Sequence, residues 1–157
     1  MKNRNKAVPV VYMLIEKDDK LLIMRRCNTG YEDGKYQIPA GHAEEGELPS
    51  EALIREAKEE AGIDIAHDDF ELAHVSYRPK HDETGDRVDF FFRVKSWQGE
   101  VTNTEPEKCD EFKWVDPNDL PQNMTFHIRR GIENIQKGIF FDEITTDQLK
   151  EAGMYQL

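Results

Sequence analysis

The chain has 157 residues, 38% hydrophobic and 34% charged, with a net charge of −11. That length suits one domain with one core, and the acidity spread along the chain argues against binding a nucleic-acid polymer. Two cysteines, Cys27 and Cys109, are too few and too far apart for a disulfide framework, so a reduced cytoplasmic setting is expected.

In chain order, Val8 to Glu16 is rich in Val, Tyr and Ile. It is too short, and too soon followed by charges, for a membrane span, and it reads as a strand. Asp18-Asp19 makes a turn into a second apolar run, Lys20 to Arg26, which completes a β-hairpin. Cys27 to Gly34 has loop composition, and Lys35 to Ile38 is a short strand ended by Pro39. Residues 39–48 form a glycine-bearing loop.

Pro49 to Ala61 reads as one amphipathic helix. Proline is tolerated in its first turn, Leu53, Ile54, Ala57 and Ala61 recur at helical spacing, and Gly62 stops it. Phe70 to Arg78 and Arg87 to Trp97 are strands that pair across a polar loop. Phe112 to Val115 is a further short strand, with a turn from Asp116 to Leu120. Thr125 is expected to cap a last helix carrying Ile128, Ile132, Ile135 and Ile139 on one face. The segment after Phe141 is ambiguous. Strands before, between and after helices suggest an α/β sandwich with a mixed sheet between helices.

The densest chemistry lies between Ala40 and Ile63, which holds seven glutamates and three glycines. Glu56, Glu59 and Glu60 fall within a sector of roughly 100° on the helix, along the edge of its buried face. Like charges so placed repel by a few tenths of a kcal/mol per close pair on an exposed helix. A divalent cation would reverse that sign, and all-oxygen ligands suit magnesium, manganese or calcium rather than zinc. The competing reading is a solvated helical face in which Arg55 answers Glu51 and Glu59.

Gly41, Glu47, Arg55, Glu56, Glu59, Glu60 and Gly62 decide between these. Their spacing, with aliphatic residues at 57 and 63, matches the Nudix box at every position. Seven identities at roughly one in twenty each have odds on the order of one in a billion per start position. The chain therefore resembles the Nudix hydrolases. Asn103 to Cys109 is similar to a segment of MutT-type nucleotide hydrolases.

The resemblance implies an α/β/α sandwich over residues 1–157, with the box at 41–63 and the core at roughly 7–138. It implies hydrolysis of a nucleoside diphosphate linked to another group, with magnesium, or manganese in its place. Nucleoside triphosphates cut to monophosphate and pyrophosphate lead. ADP-ribose, a nucleotide sugar or another diphosphate is the alternative, and a non-catalytic nucleotide sensor is a third. By position, Glu56, Glu59 and Glu60 would face the metal with the carbonyl of Ala40. Arg55 would hold a site carboxylate, Glu56 would serve as base, and Gly41 and Glu47 would support them. Glu107, with Glu105 as the other choice, would add a carboxylate from the loop before Trp114. Arg25 or Arg26 would meet phosphate, and Tyr31 and Phe126 would stack on a base, or simply pack. A homodimer stays open, and no membrane partner is expected.

Overall fold

The computed structural model describes residues 2–157. Strands β1 (Ala7–Lys17) and β2 (Lys20–Arg26) form a hairpin. Asp18 and Asp19 in its turn both hold positive φ, 53° and 60°, the conformation that follows the twist of the flanking strands and that aspartate tolerates. Then come β3 (Tyr36–Gln37), β4 (Ala40–His42), helix α1 (Pro49–Ala61), β5 (Phe70–Arg78), β6 (Asp86–Val94), β7 (Cys109–Val115), α2 (Phe126–Gln136), β8 (Phe141–Glu143) and α3 (Thr146–Glu151).

The strands make a mixed sheet in the order β3-β2-β1-β6-β5-β8, with β4 paired to β1 and β7 to β2. β1 runs parallel to β6, and β5 parallel to β8. β1 is central and covered on both sides, which is why it reads as a nearly unbroken apolar run. Alternation sends Val11, Met13 and Ile15 to α1, where they meet Ala52, Leu53, Ala57 and Ala61. Val10, Tyr12 and Leu14 face α2 and pack with Phe91, Ile128 and Ile132. The architecture is an α/β/α sandwich. No helix among the described residues is long and apolar enough to cross a membrane.

Gly131 explains itself through packing. A glycine inside a helix costs about 1 kcal/mol relative to alanine, but a Cβ here would sit 2.4 Å from Cζ of the buried Phe91. Close approach of α2 to the sheet needs the bare backbone.

Several expected details are corrected. Part of the loop at 39–48 is β4, because Ala40, Gly41 and His42 pair with Tyr12, Val11 and Val10. The β6 strand ends at Val94 and not Trp97. Helix α2 ends at Gln136, so Ile139 lies beyond it and is exposed. Thr125 holds the N-cap position, but its hydroxyl makes no capping bond. The segment after Phe141 is ordered as β8 and α3, with Thr145 capping α3 by accepting from the Gln148 amide.

Candidate active site

The site forms where α1 lies against β4. Three local features build α1. The Leu48 amide donates to Glu51 Oε2 (2.8 Å), Pro49 occupies the first turn, and Gly62 ends the helix at φ 70°. Ala57 and Ala61 are fully buried, so α1 sits close to the sheet. Glu56 and Glu60 are thereby carried to its margin.

Gly41 makes room for this. A Cβ there would lie 2.0 Å from the Glu56 carboxyl carbon. Two groups then hold the carboxylates. The Ala40 amide donates to Glu60 Oε2 at 2.9 Å. Arg55 donates through Nε and Nη2 to both oxygens of Glu47, each at 2.9 Å. Its Nη1 donates to Glu56 Oε1 at 2.9 Å and Glu59 Oε2 at 3.2 Å, and Nη2 also reaches the His42 carbonyl at 3.1 Å. This fork of fixed donors orders the loop before α1 and the acidic face of α1 together. Arg55 does not reach Glu51, whose carboxylate is used at Leu48.

Environment separates the glutamates. Burial pushes Glu60 up to about 8, against the opposing bond from Ala40, while Glu56 and Glu105 raise it further and Arg26 lowers it. Glu56 is also raised by burial, with Arg55 opposing and Glu59 and Glu105 adding to the rise. Glu47 is pushed down to about 2 by the Arg55 guanidinium. Glu59 is the open one, with its side chain 53% exposed against 12% for Glu56.

The loop before β7 brings Glu105, rather than Glu107, into this set of charges. Thr102 and Thr104 tie that loop to the C-terminal end of α1, through the Ala61 and Glu59 carbonyls. The Glu105 amide donates to Asn103 Oδ1 (3.2 Å), which aims the loop. Glu107 is exposed, and its carbonyl accepts from Asn28 at 3.2 Å. Asn103 and Thr104 as positioning residues were not singled out from sequence; their bonds to residues 6 and 45 positions away carry no periodic signal.

The remaining candidates divide. Arg25 is held by Asp110 and Glu111, while Arg26 acts on Glu60 and donates to the Tyr31 carbonyl, Gln37 and Thr29. Tyr31 and Phe126 both pack against Ile144, Leu149 and Met154 of the C-terminal segment. The Tyr31 ring lies 5.6 Å from the Arg26 guanidinium.

The donor chemistry fits a hard divalent cation: oxygen ligands, carboxylates raised by burial, and too little positive charge to answer them. The geometry is not gathered around one point. Among the described residues, no three His, Cys, Asp or Glu side chains stand close enough to hold one ion. Arg55 and the Ala40 amide occupy the carboxylates instead.

A family model described as NUDIX domain matches residues 4–135. An ADP-ribose pyrophosphatase of Methanocaldococcus jannaschii is 34% identical over 109 residues, 69% of this chain and 62% of that protein. The chain thus spans less than two thirds of that relative's length. An 8-oxo-dGTP diphosphatase of Proteus vulgaris is 28% identical over 65% of this chain and 88% of its own. Among solved structures, a MutT NUDIX hydrolase from Burkholderia pseudomallei superposes with a TM-score of 0.72. It is 24% identical and covers 82% of this chain and 98% of its own. At that identity the likeness speaks for the fold.

Proposed function

The chain belongs to the NUDIX family, and on that premise we propose that it is a magnesium-dependent pyrophosphohydrolase. Its favoured substrate is a nucleoside triphosphate. Water adds at one phosphorus, a P–O–P bond breaks, and nucleoside monophosphate and pyrophosphate leave. The observation that carries this reading is a pair of half-buried carboxylates at β4: Glu56 in the space that Gly41 leaves open, and Glu60 on the Ala40 amide.

Each residue has a task. Arg55 fixes the rotamer of Glu56 and the loop through Glu47. The Ala40 amide fixes Glu60. Burial raises the proton affinity of Glu56, the direction that suits a general base. Arg26, whose charge is felt at Glu60, would meet a phosphate oxygen. Glu56, Glu59 and Glu60 with the Ala40 carbonyl would hold magnesium or manganese, and Glu105 would add negative charge from the loop before β7. The ion would supply positive charge to phosphate oxygens and acidify water.

The ADP-ribose pyrophosphatase likeness supports a second reading, in which the leaving group is a sugar phosphate. Both readings share the cleaved bond type. A panel of canonical and oxidised nucleoside triphosphates, ADP-ribose and nucleotide sugars, assayed with magnesium, separates them. Direct pyrophosphate release marks the first, and phosphate released only after added phosphatase marks the second. No turnover of any member would overturn both.

A further inference from the structure

The sheet ends at β8, which has β5 as its one neighbour. Their parallel register fixes which backbone groups are used. The Val75 amide donates to the Phe140 carbonyl at 2.8 Å, and the Ile144 amide donates to the Tyr77 carbonyl at 2.8 Å. Alternation along the strand then turns the Asp142 amide and carbonyl toward β5, and those of Phe141 and Glu143 away from it. Glu143 is served by its own chain. Its amide donates to Asp142 Oδ1 at 2.8 Å, and Arg130 Nη2 reaches its carbonyl at 3.5 Å. Phe141 keeps a donor and an acceptor side by side on the outer edge.

The side chains around that edge are apolar. Among the described residues six large hydrophobics are exposed, and three of them, Ile139, Phe140 and Phe141, are consecutive, at 41%, 56% and 55%. Single exposed apolar residues are ordinary, whereas a contiguous patch marks an interaction surface. Edge strands are commonly blunted by lysine or proline, and β8, Phe141-Asp142-Glu143, has neither. A cleft of about 420 Å³ adjoins the patch, between α2 and β8, with Phe126, Lys137, Ile139 and Asp142 in its lining. Asp142 is held there by Arg130 Nη2 at 3.1 Å and Asn134 Nδ2 at 2.9 Å.

A residue that offers one donor and one acceptor is complemented by the same residue of a second copy. Directly opposed residues of an antiparallel ladder exchange both bonds, so a two-fold axis beside Phe141 satisfies both groups in both copies. In that register Phe140 of each copy stands opposite the partner's Asp142, at the mouth of the cleft. Charge agrees with this pairing. Arg129 is answered by Glu133 and Arg130 by Asp142. Among the described residues this leaves Lys137, before the patch, and Glu143, after it, as the exposed charges without an ion-pair partner. Antiparallel pairing brings the leading end of one copy beside the trailing end of the other, lysine toward glutamate twice.

The area is sufficient. Two half-exposed phenyl rings and Ile139 offer on the order of 300 Å² of apolar surface per copy. Two copies would hide about 600 Å², the apolar share of an interface of about 1,000 Å², which is the lower bound for specific association.

We infer that β8 is a homodimer interface, in which two copies pair antiparallel through Phe141 and continue the sheet as β5-β8-β8-β5. The interface is independent of the hydrolase reading. It would also fix the C-terminal segment whose Ile144, Leu149 and Met154 pack on Tyr31 and Phe126.

Sedimentation velocity on the full chain, from about 1 µM to about 300 µM, tests this. The mass should rise from 18.3 kDa to twice that value, with its midpoint in the micromolar range. Phe140→Ser removes an exposed ring and should raise the midpoint about tenfold or more. Lys137→Glu and Glu143→Lys should each raise it about fivefold or more, and the chain carrying both should return to within about threefold of wild type. Glu143→Lys makes each copy less acidic, so general repulsion alone predicts tighter association, the opposite sign. Amide exchange at Phe141 should slow at the high concentration, while that of Asp142, already bonded to β5, should change little. A chain that stays monomeric at every concentration would overturn the inference and leave the patch to a different occupant. A dimer untouched by Phe140→Ser, tightened by Glu143→Lys, or formed without protection of the Phe141 amide would overturn it equally.

Discussion

Replacing Gly41 by alanine separates the glutamate site from the fold. Gly41 has no positive φ, so alanine meets no backbone strain. The added Cβ would lie 2.0 Å from Cδ and Oε1 of Glu56, whereas ordinary contact begins near 3.4 Å. The Glu56 carboxyl must therefore retreat by about 1.4 Å, from 3.4 less 2.0. It is the end of a flexible side chain and can do so. The cost to stability is the Arg55–Glu56 bond, discounted because Arg55 keeps Glu47: about 1 kcal/mol. The reduced entropy of the unfolded chain returns up to ~1 kcal/mol. The thermal midpoint should move by no more than about 4 °C. Activity should respond very differently. A misplacement of about 1 Å in a catalytic group costs on the order of 100-fold in rate, close to 2.7 kcal/mol of barrier. Steady-state kinetics on the best panel substrate, run beside a thermal scan, measures both. A Gly41→Ala protein within threefold of the wild-type kcat/KM would refute the placement of Glu56 in the chemistry. A midpoint lowered by more than about 10 °C would show that the backbone, not the side chain, absorbs the clash.

Other expectations concern stability. Glu60 titrates near 8 in the folded chain against an ordinary 4.5. Between those values the folded state holds a proton that the unfolded state has released, so metal-free stability should fall as pH rises through that window. The Glu60→Gln variant should flatten the dependence measured by urea unfolding with EDTA; an equally steep curve would exclude Glu60 as its source. Millimolar magnesium should raise the wild-type midpoint at neutral pH by binding the native state, and should do so less in Glu60→Gln. An identical rise in both would place the bound ion elsewhere. Gly131→Ala presses a Cβ into the buried Phe91 ring, which should lower the unfolding free energy by about 1–3 kcal/mol despite the better helix propensity. A net gain in stability would show that α2 can shift away from the sheet.

Much of the fold was legible because its signals are local. Pro49 to Ala61 could be bounded to the residue, since proline, apolar spacing and Gly62 act within a few positions. The hairpin of β1 and β2 was equally plain from Asp18-Asp19 between apolar runs. β4 was hidden, because Ala40-Gly41-His42 has no strand propensity and pairs only because β1 offers an edge beside it. Ile139 kept the helical spacing of its predecessors, yet Gly138 at φ 73° turns the chain out before it.

By itself, the sequence determined the family and which carboxylates of α1 share one side. Glu56, Glu59 and Glu60 share a helix, and backbone geometry at about 100° per residue puts them on one side whatever surrounds them. The tertiary structure decided which loop carboxylate is felt by Glu56 and Glu60: Thr102, Thr104 and Asn103 hold a loop from which Glu105 acts on both, while Glu107 stays exposed. It also decided that Tyr12, Arg78, Asp89 and His127, up to 115 positions apart, form one hydrogen-bonded chain. That chain depends on the parallel register of β1 with β6 and on the seating of α2 over Gly131. Contacts of such separation are set by strand pairing and close packing, and no spacing along the chain encodes them.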